Sequence, residues 1–162
     1  AILLGLVGSE KCIRDRSKKG YAQAVGVERM DASNLQLILM NYLPGHTEKA
    51  KEHLQAMENE LHAGNGLFYR YLHADDFGEP ESTFLICAFW YVEALACVGR
   101  IEEAIKYFEN LIKYSNHVGL LSEDITATDG SMWGNFPHAY SHVGLLNAAN
   151  RISRKLDLPN FY

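Results

Sequence analysis

The sequence is poor in the residues that build stapled or metal-bound folds. It holds only three cysteines in 162 residues, an odd number, which argues against a disulfide framework. Cys87 and Cys97 stand in apolar helical sequence, where a small buried thiol is the ordinary reading. Free thiols favour a reducing compartment, here the cytoplasm. Basic charge is also in deficit. Fifteen Lys and Arg against 20 Asp and Glu give a net charge of −5, which argues against nucleic acid as a partner. No apolar run is long enough to span a bilayer, so no membrane partner is expected. Residues 1–8 are apolar but lack the basic flank of a signal peptide. The chain also lacks a glycine-rich phosphate loop, a nucleophile elbow, and the HExxH and CxxC spacings. No metal site and no cofactor are expected. What is present is ordinary: 48% hydrophobic and 22% charged residues, enough for one folded domain with a real core.

Helical signals follow in order. Asp31 is a helix N-cap before the almost uncharged stretch 32–43, which Pro44-Gly45 stops. Thr47 caps a helix over 48–62, with Ala50, Leu54, Met57 and Leu61 as one apolar stripe. Gly64-Asn65-Gly66 breaks it. An extended segment, Leu67 to Leu72, begins a long connection to Glu79. Pro80 is read as opening a helix over 81–98 that is apolar nearly all round. An amphipathic helix over 101–115 follows, then a second long connection from Asn116 to Phe136 with a turn at Asp129-Gly130. Pro137 is read as opening the last helix, to about Lys155. The helices at 32, 81 and 137 are nearly charge-free, as elements buried on both sides should be, while those at 48 and 101 keep a solvent face. Short connections alternate with long ones. If neighbouring helices are antiparallel, both long connections lie at one end of an all-α array, and connections of that length are usually functional.

The loops at that end offer Arg70, Asp75, Asp76, Glu81, Glu123, Asp124, Trp133, Asn135, His138 and His142. Carboxylates and an arginine grip hydroxyl groups, aromatic faces stack on sugar rings, and paired carboxylates do acid–base work. The same residues also fit a helical array whose loop charges are simply solvated. A non-catalytic helical-repeat interaction module is therefore the competing reading, against which the helix pairs share no repeated motif.

Five ordered segments narrow this choice: Met30-Asp31-Ala32-Ser33, Gly66 to Tyr71, Glu81 to Trp90, Gly119 to Glu123, and Gly134 to His142. Together they resemble the C-terminal half of the catalytic domain of glycoside hydrolase family 15, the bacterial glucoamylase, glucodextranase and trehalase-like enzymes. The resemblance implies part of an (α/α)6 barrel of alternating inner and outer helices. It implies inverting hydrolysis of an α-glucoside or α-glucan, whether a starch dextrin, an isomalto-linked glucan or trehalose. It makes Glu123 the general base and Arg70 a sugar-gripping residue. Glu81, the acid expected at a helix start near the site, is the second substrate-binding residue. Phe89 and Trp90 are expected to pack between helices, His142 to be structural, and Asp31 to cap its helix with no substrate role. His138 departs from the glutamine of the family pattern. The family's general acid, a glutamate beside a tryptophan on an earlier helix, has no match in this chain. The expected part of the catalytic domain runs over 21–162 as a fragment, inactive alone, with inner-helix surface exposed and self-association left open. Residues 1–20 are hard to place, and Lys11 to Arg16 resemble a translated sequencing adapter, so 1–16 are expected to be non-native.

Overall fold

The computed structural model describes residues 14–15, 19–24, 27–76 and 78–157. The expectation that 1–16 are non-native lies outside these residues, except at Arg14 and Asp15. The described chain is mostly helical with a small sheet component, rather than all-α.

Strand β1, Arg14–Asp15, pairs antiparallel with β2, Gly20–Tyr21. Asp31 then caps a 3-10 turn, Ala32–Leu35, by accepting from the Ser33 amide at 2.7 Å. The turn runs into α1, Gln36–Leu39, so the predicted helix 32–43 is shorter and tighter than its apolar composition implied. Helix α2, Glu48–Leu61, starts at Thr47, whose hydroxyl accepts from the Ala50 amide. Its predicted stripe of Ala50, Leu54, Met57 and Leu61 is buried.

Asn65 and Gly66 both take positive φ and turn the chain into a hairpin of β3, His62–Gly64, with β4, Leu67–Phe68. After the first long connection comes β5, Thr83–Phe84, and only then α3, Leu85–Cys97. Pro80 and Glu81 therefore do not open the helix. Thr83 and Phe84 pair with β6, Asp124–Ile125, and stay extended. The Leu85 amide, an orphan donor at the helix start, goes to the Glu123 carbonyl at 3.0 Å.

Helix α3 is buried from Leu85 to Ala96 except at the half-buried Trp90, and packs against α1, α4 and α5. Gly99 at φ +91 ends the turn after it, and α4, Ile101–Ile112, leans its apolar stripe on α3. Arg100 binds Glu103 through Nε and Nη2 and reaches Glu58 of α2 at 2.7 Å, where the Tyr91 hydroxyl also donates. This network ties α2, α3 and the start of α4 together.

In the second long connection, β6 pairs with β7, Met132–Trp133, around the Asp129-Gly130 turn. Pro137 follows a cis bond and stays outside the last helix. That helix, α5, is Ala139–Lys155. Its buried face is small: Ser141, Gly144, Ala148 and Ile152. A Cβ on Gly144 would stand 2.7 Å from Ile86 and 3.0 Å from Phe89, so glycine is what lets α5 lie close on α3. The helix is not buried on both sides as expected, because Tyr140, Val143 and Leu146 on its other face are exposed.

Candidate active site

The two long connections meet. Strand β5 closes the first, β6 and β7 lie in the second, and they form one sheet in the order β5-β6-β7. Side chains strengthen the seam. The Thr83 hydroxyl donates to the Ile125 carbonyl at 2.7 Å, and the Ser82 hydroxyl donates to Asp124 at 2.9 Å. Beside the sheet lies a cavity of about 360 Å³, lined among others by Arg70, Tyr71, Asp75, Ser82, Glu123 and Asp124.

Glu123 is held from one side only. Its Oε2 accepts from the Asn135 backbone amide at 2.9 Å and from Asn135 Nδ2 at 2.8 Å. Its Oε1 has no hydrogen-bond partner among the described residues; His138 Nε2 stands 4.0 Å away. Gly134, at φ +74, makes the approach feasible, since a Cβ there would stand 2.8 Å from both Glu123 Cβ and Oε2. The result is an aimed, partly exposed carboxylate with one oxygen anchored and one available. Burial holds the neighbouring Asp124 above the usual carboxylate range. The Ser82 hydrogen bond opposes this shift, and the Glu123 charge adds to it. Arg70 is anchored as well. Its Nε donates to Asp31 Oδ1 at 2.8 Å and Oδ2 at 3.0 Å, while the side chain remains 41% exposed beside a 6% exposed Asp31. Among the described residues no hydrogen bond occupies its Nη atoms. Burial works against the Arg70 charge, but the Asp31 carboxylate outweighs it and raises the pKa.

Arg70 and Glu123 are thus brought to one cavity. Glu81 is not among its lining residues: it is exposed in the connection between Pro80 and Ser82, which do line it. Asp31 caps its helix as expected and in addition orients Arg70, a second role that a capping signal does not announce. Asn135 was visible as a loop polar residue, but its hold on Glu123 depends on a pairing 12 residues away. His142 is structural here, its Nε2 accepting from the Leu121 amide at 3.2 Å. Phe89 is fully buried, and the half-buried Trp90 meets the Tyr140 ring edge-on. A larger cavity, about 520 Å³, lies between α1, α3 and α5. Its carboxylate, Glu93, is buried against Arg151 at 3.4 Å, which leaves no free acid for chemistry there.

Residues 11–150 match the family described as glycosyl hydrolases family 15. The chain belongs to glycosyl hydrolases family 15. It is 34% identical over 142 residues to a trehalase of Thermoplasma volcanium, covering 88% of this chain and 23% of that one. It is 35% identical over 141 residues to a trehalase of Mycobacterium tuberculosis, covering 85% of this chain and 21% of that one. Among solved structures, a glycosidase variant superposes with a TM-score of 0.78 at 18% identity, over 98% of this chain and 44% of its own. Another, a glycosidase variant in complex with glucose, gives 0.77 at 17% identity, over the same shares. The likeness to these structures shows a shared helical glycosidase fold. The chain spans less than a quarter of the curated relatives named here. No helix among the described residues is long and apolar enough to cross a membrane.

Proposed function

We propose that the whole protein is an inverting α-glucosidase, that Glu123 is its general base and that Arg70 binds substrate hydroxyls. The observation that carries this reading is the half-anchored Glu123 carboxylate in the cavity it shares with Arg70. In the proposed step Oε1 takes a proton from a water, the water oxygen bonds to the anomeric carbon, and the glycosidic C–O bond breaks. A second carboxyl, supplied outside this chain, gives its proton to the leaving oxygen. Inversion needs the two carboxyls roughly 6.5–9.5 Å apart, with room for the water. We place the chain as part of an (α/α)6 barrel, whose missing helices would cover Tyr140, Val143 and Leu146. Glu81, outside the lining of that cavity, is given no part in substrate binding.

Trehalose is the proposed substrate, since the curated relatives above are named trehalases. The free thiols of Cys87 and Cys97 fit a reducing compartment such as the cytoplasm. The test is hydrolysis of trehalose, maltose and isomaltose by the whole protein and by Glu123→Gln, with the released glucose followed by NMR. Inversion at one unit of trehalose yields β-glucose while the leaving unit stays α, so the first turnovers give the two anomers in equal amounts. Loss of the base is expected to lower kcat by about 10³-fold or more. A Glu123→Gln protein as active as wild type moves the base elsewhere. A protein inert on all three sugars removes the proposal.

A further inference from the structure

The loop carrying Glu123 is fastened to the start of α5 through His138. The His138 amide donates to the Leu121 carbonyl at 2.9 Å. Its ring Nδ1 lies 2.9 Å from Ser141 Oγ, and Ser141 Oγ lies 2.8 Å from the Ser122 carbonyl oxygen. A carbonyl oxygen only accepts, so the single hydroxyl proton of Ser141 goes to Ser122. Nδ1 must then be the donor. Ser141 and Ser122 are both fully buried, so no water takes over either bond. The tautomer is fixed by this chain: the ring proton sits on Nδ1, and the neutral ring presents a lone pair at Nε2. Nε2 stands 4.0 Å from Glu123 Oε1. Two acceptors face each other across a gap too long for a direct hydrogen bond but suited to one bridging water.

We propose that His138 is a titratable positioning residue for Glu123: the neutral ring leaves Oε1 to the attacking water, and the protonated ring takes Oε1 for itself. The proposal rests on Glu123 being the base. Protonation puts a donor on Nε2 and makes the facing pair a charge-assisted contact. The two side chains are 16% and 28% exposed, so the attraction is only partly screened. The groups around the ring are Glu123 and Asp124 from the loop, Phe84 from β5, Tyr140 beside it on α5, and His142 one turn on. Glu123 and Asp124 are the acids facing the ring, Arg70 is the cation of the cavity beside Glu123, and His142 spends its Nε2 on the Leu121 amide. Histidine ordinarily changes charge between pH 5 and 8, so activity would fall on the acid side by withdrawal of the base.

Two measurements on the whole protein test this. In the first, the pH profile of kcat/KM on trehalose is compared between wild type and His138→Gln. The glutamine does not titrate, and the acid limb is expected to move to lower pH by about one unit or more. An acid limb that stays in place overturns the proposal. In the second, the ring of His138 is titrated by NMR with labelled histidine in wild type and in Glu123→Gln. Removing the facing charge is expected to move the midpoint to lower pH by about half a unit or more, and equal midpoints overturn the proposal. The second measurement needs no activity, so it decides even where His138→Gln folds poorly. It also separates the two readings: an active Glu123→Gln protein removes the base assignment while leaving the His138–Glu123 coupling to be read directly.

Discussion

Gly134→Ala separates a backbone cost from an active-site cost. Gly134 sits at φ +74, and a Cβ there would stand 2.8 Å from Glu123 Cβ and from Oε2. Carbon contacts are comfortable at about 3.5–4.0 Å, so something must yield by about 1 Å. The yielding group is the Glu123 side chain or the Gly134-Asn135 backbone that holds it. The left-handed conformation itself costs an alanine about 1–2 kcal/mol, and the added overlap about 1–3 kcal/mol. Gly99→Ala is the control: Gly99 is at φ +91 with nothing within 4 Å of its would-be Cβ, so it carries the first term alone. Thermal unfolding is expected to fall by about 3–6 °C for Gly99→Ala, and by roughly twice that for Gly134→Ala. Hydrolysis should be unchanged in the first. In the second it should drop about 100-fold, because a 1 Å misplacement of a reacting group costs on that order. If Gly134→Ala matched Gly99→Ala in stability, or kept its rate within about threefold of wild type, the close approach of Gly134 to Glu123 would have no consequence and the aiming argument would fail.

Two further predictions concern Arg70 and His62. Asp31→Asn keeps an oxygen for the Ser33 amide but removes the charge facing Arg70; it should raise KM about tenfold with little loss of stability. Asp31→Ala loses the cap as well, and should cost about 2 kcal/mol in chemical denaturation. His62 packs among Phe68, Tyr91 and Tyr107, and its buried Nε2 has no hydrogen-bond partner among the described residues. Burial lowers its pKa from the ordinary 6.5; Glu58 opposes this and Arg100 adds to it. Above that value the ring is neutral in both folded and unfolded chains and contributes nothing. As pH falls below it the unfolded chain takes up the proton first, so stability is lost on the acid side. His62→Phe should remove that slope, and its melting temperature should gain on wild type between pH 7 and pH 5. A constant difference across that range would show that the ring does not titrate in a buried setting.

The helices that a run of apolar residues specifies were legible. Helix α2 carries its stripe where the spacing put it, and α3 is buried nearly all round as its low charge required. The boundaries that failed did so where a tertiary partner took over the backbone. Pro80 looked like a helix start, but residues 83–84 pair with a strand about 40 residues later in the chain, and no local signal encodes that pairing. Pro137 failed in the same way, because the segment before α5 belongs to the Glu123 loop. In the site, Glu123 and Arg70 were found through motif likeness, and the loop alternation placed them at one end. What holds them was not legible. The Asn135 clamp, the Asp31 brace and the Ser141–His138 chain are each set by geometry between segments, and Ser, Asn and Asp at such positions also serve as ordinary loop residues.

The three-stranded seam also bears on when the site comes into existence. Thr83 and Ile125 are separated by 42 positions, and bringing the Glu123 loop to the cavity it shares with Arg70 depends on closing that length of chain. Closure of a long loop is an entropic cost met before its contacts reward it. The two long connections are therefore expected to join late in folding, after α3 and α4 have packed. A partly folded chain would hold its helices without holding a site, and the Leu85 amide, which donates across the seam to Glu123, should exchange with solvent when the seam opens, before α3 and α4 come apart.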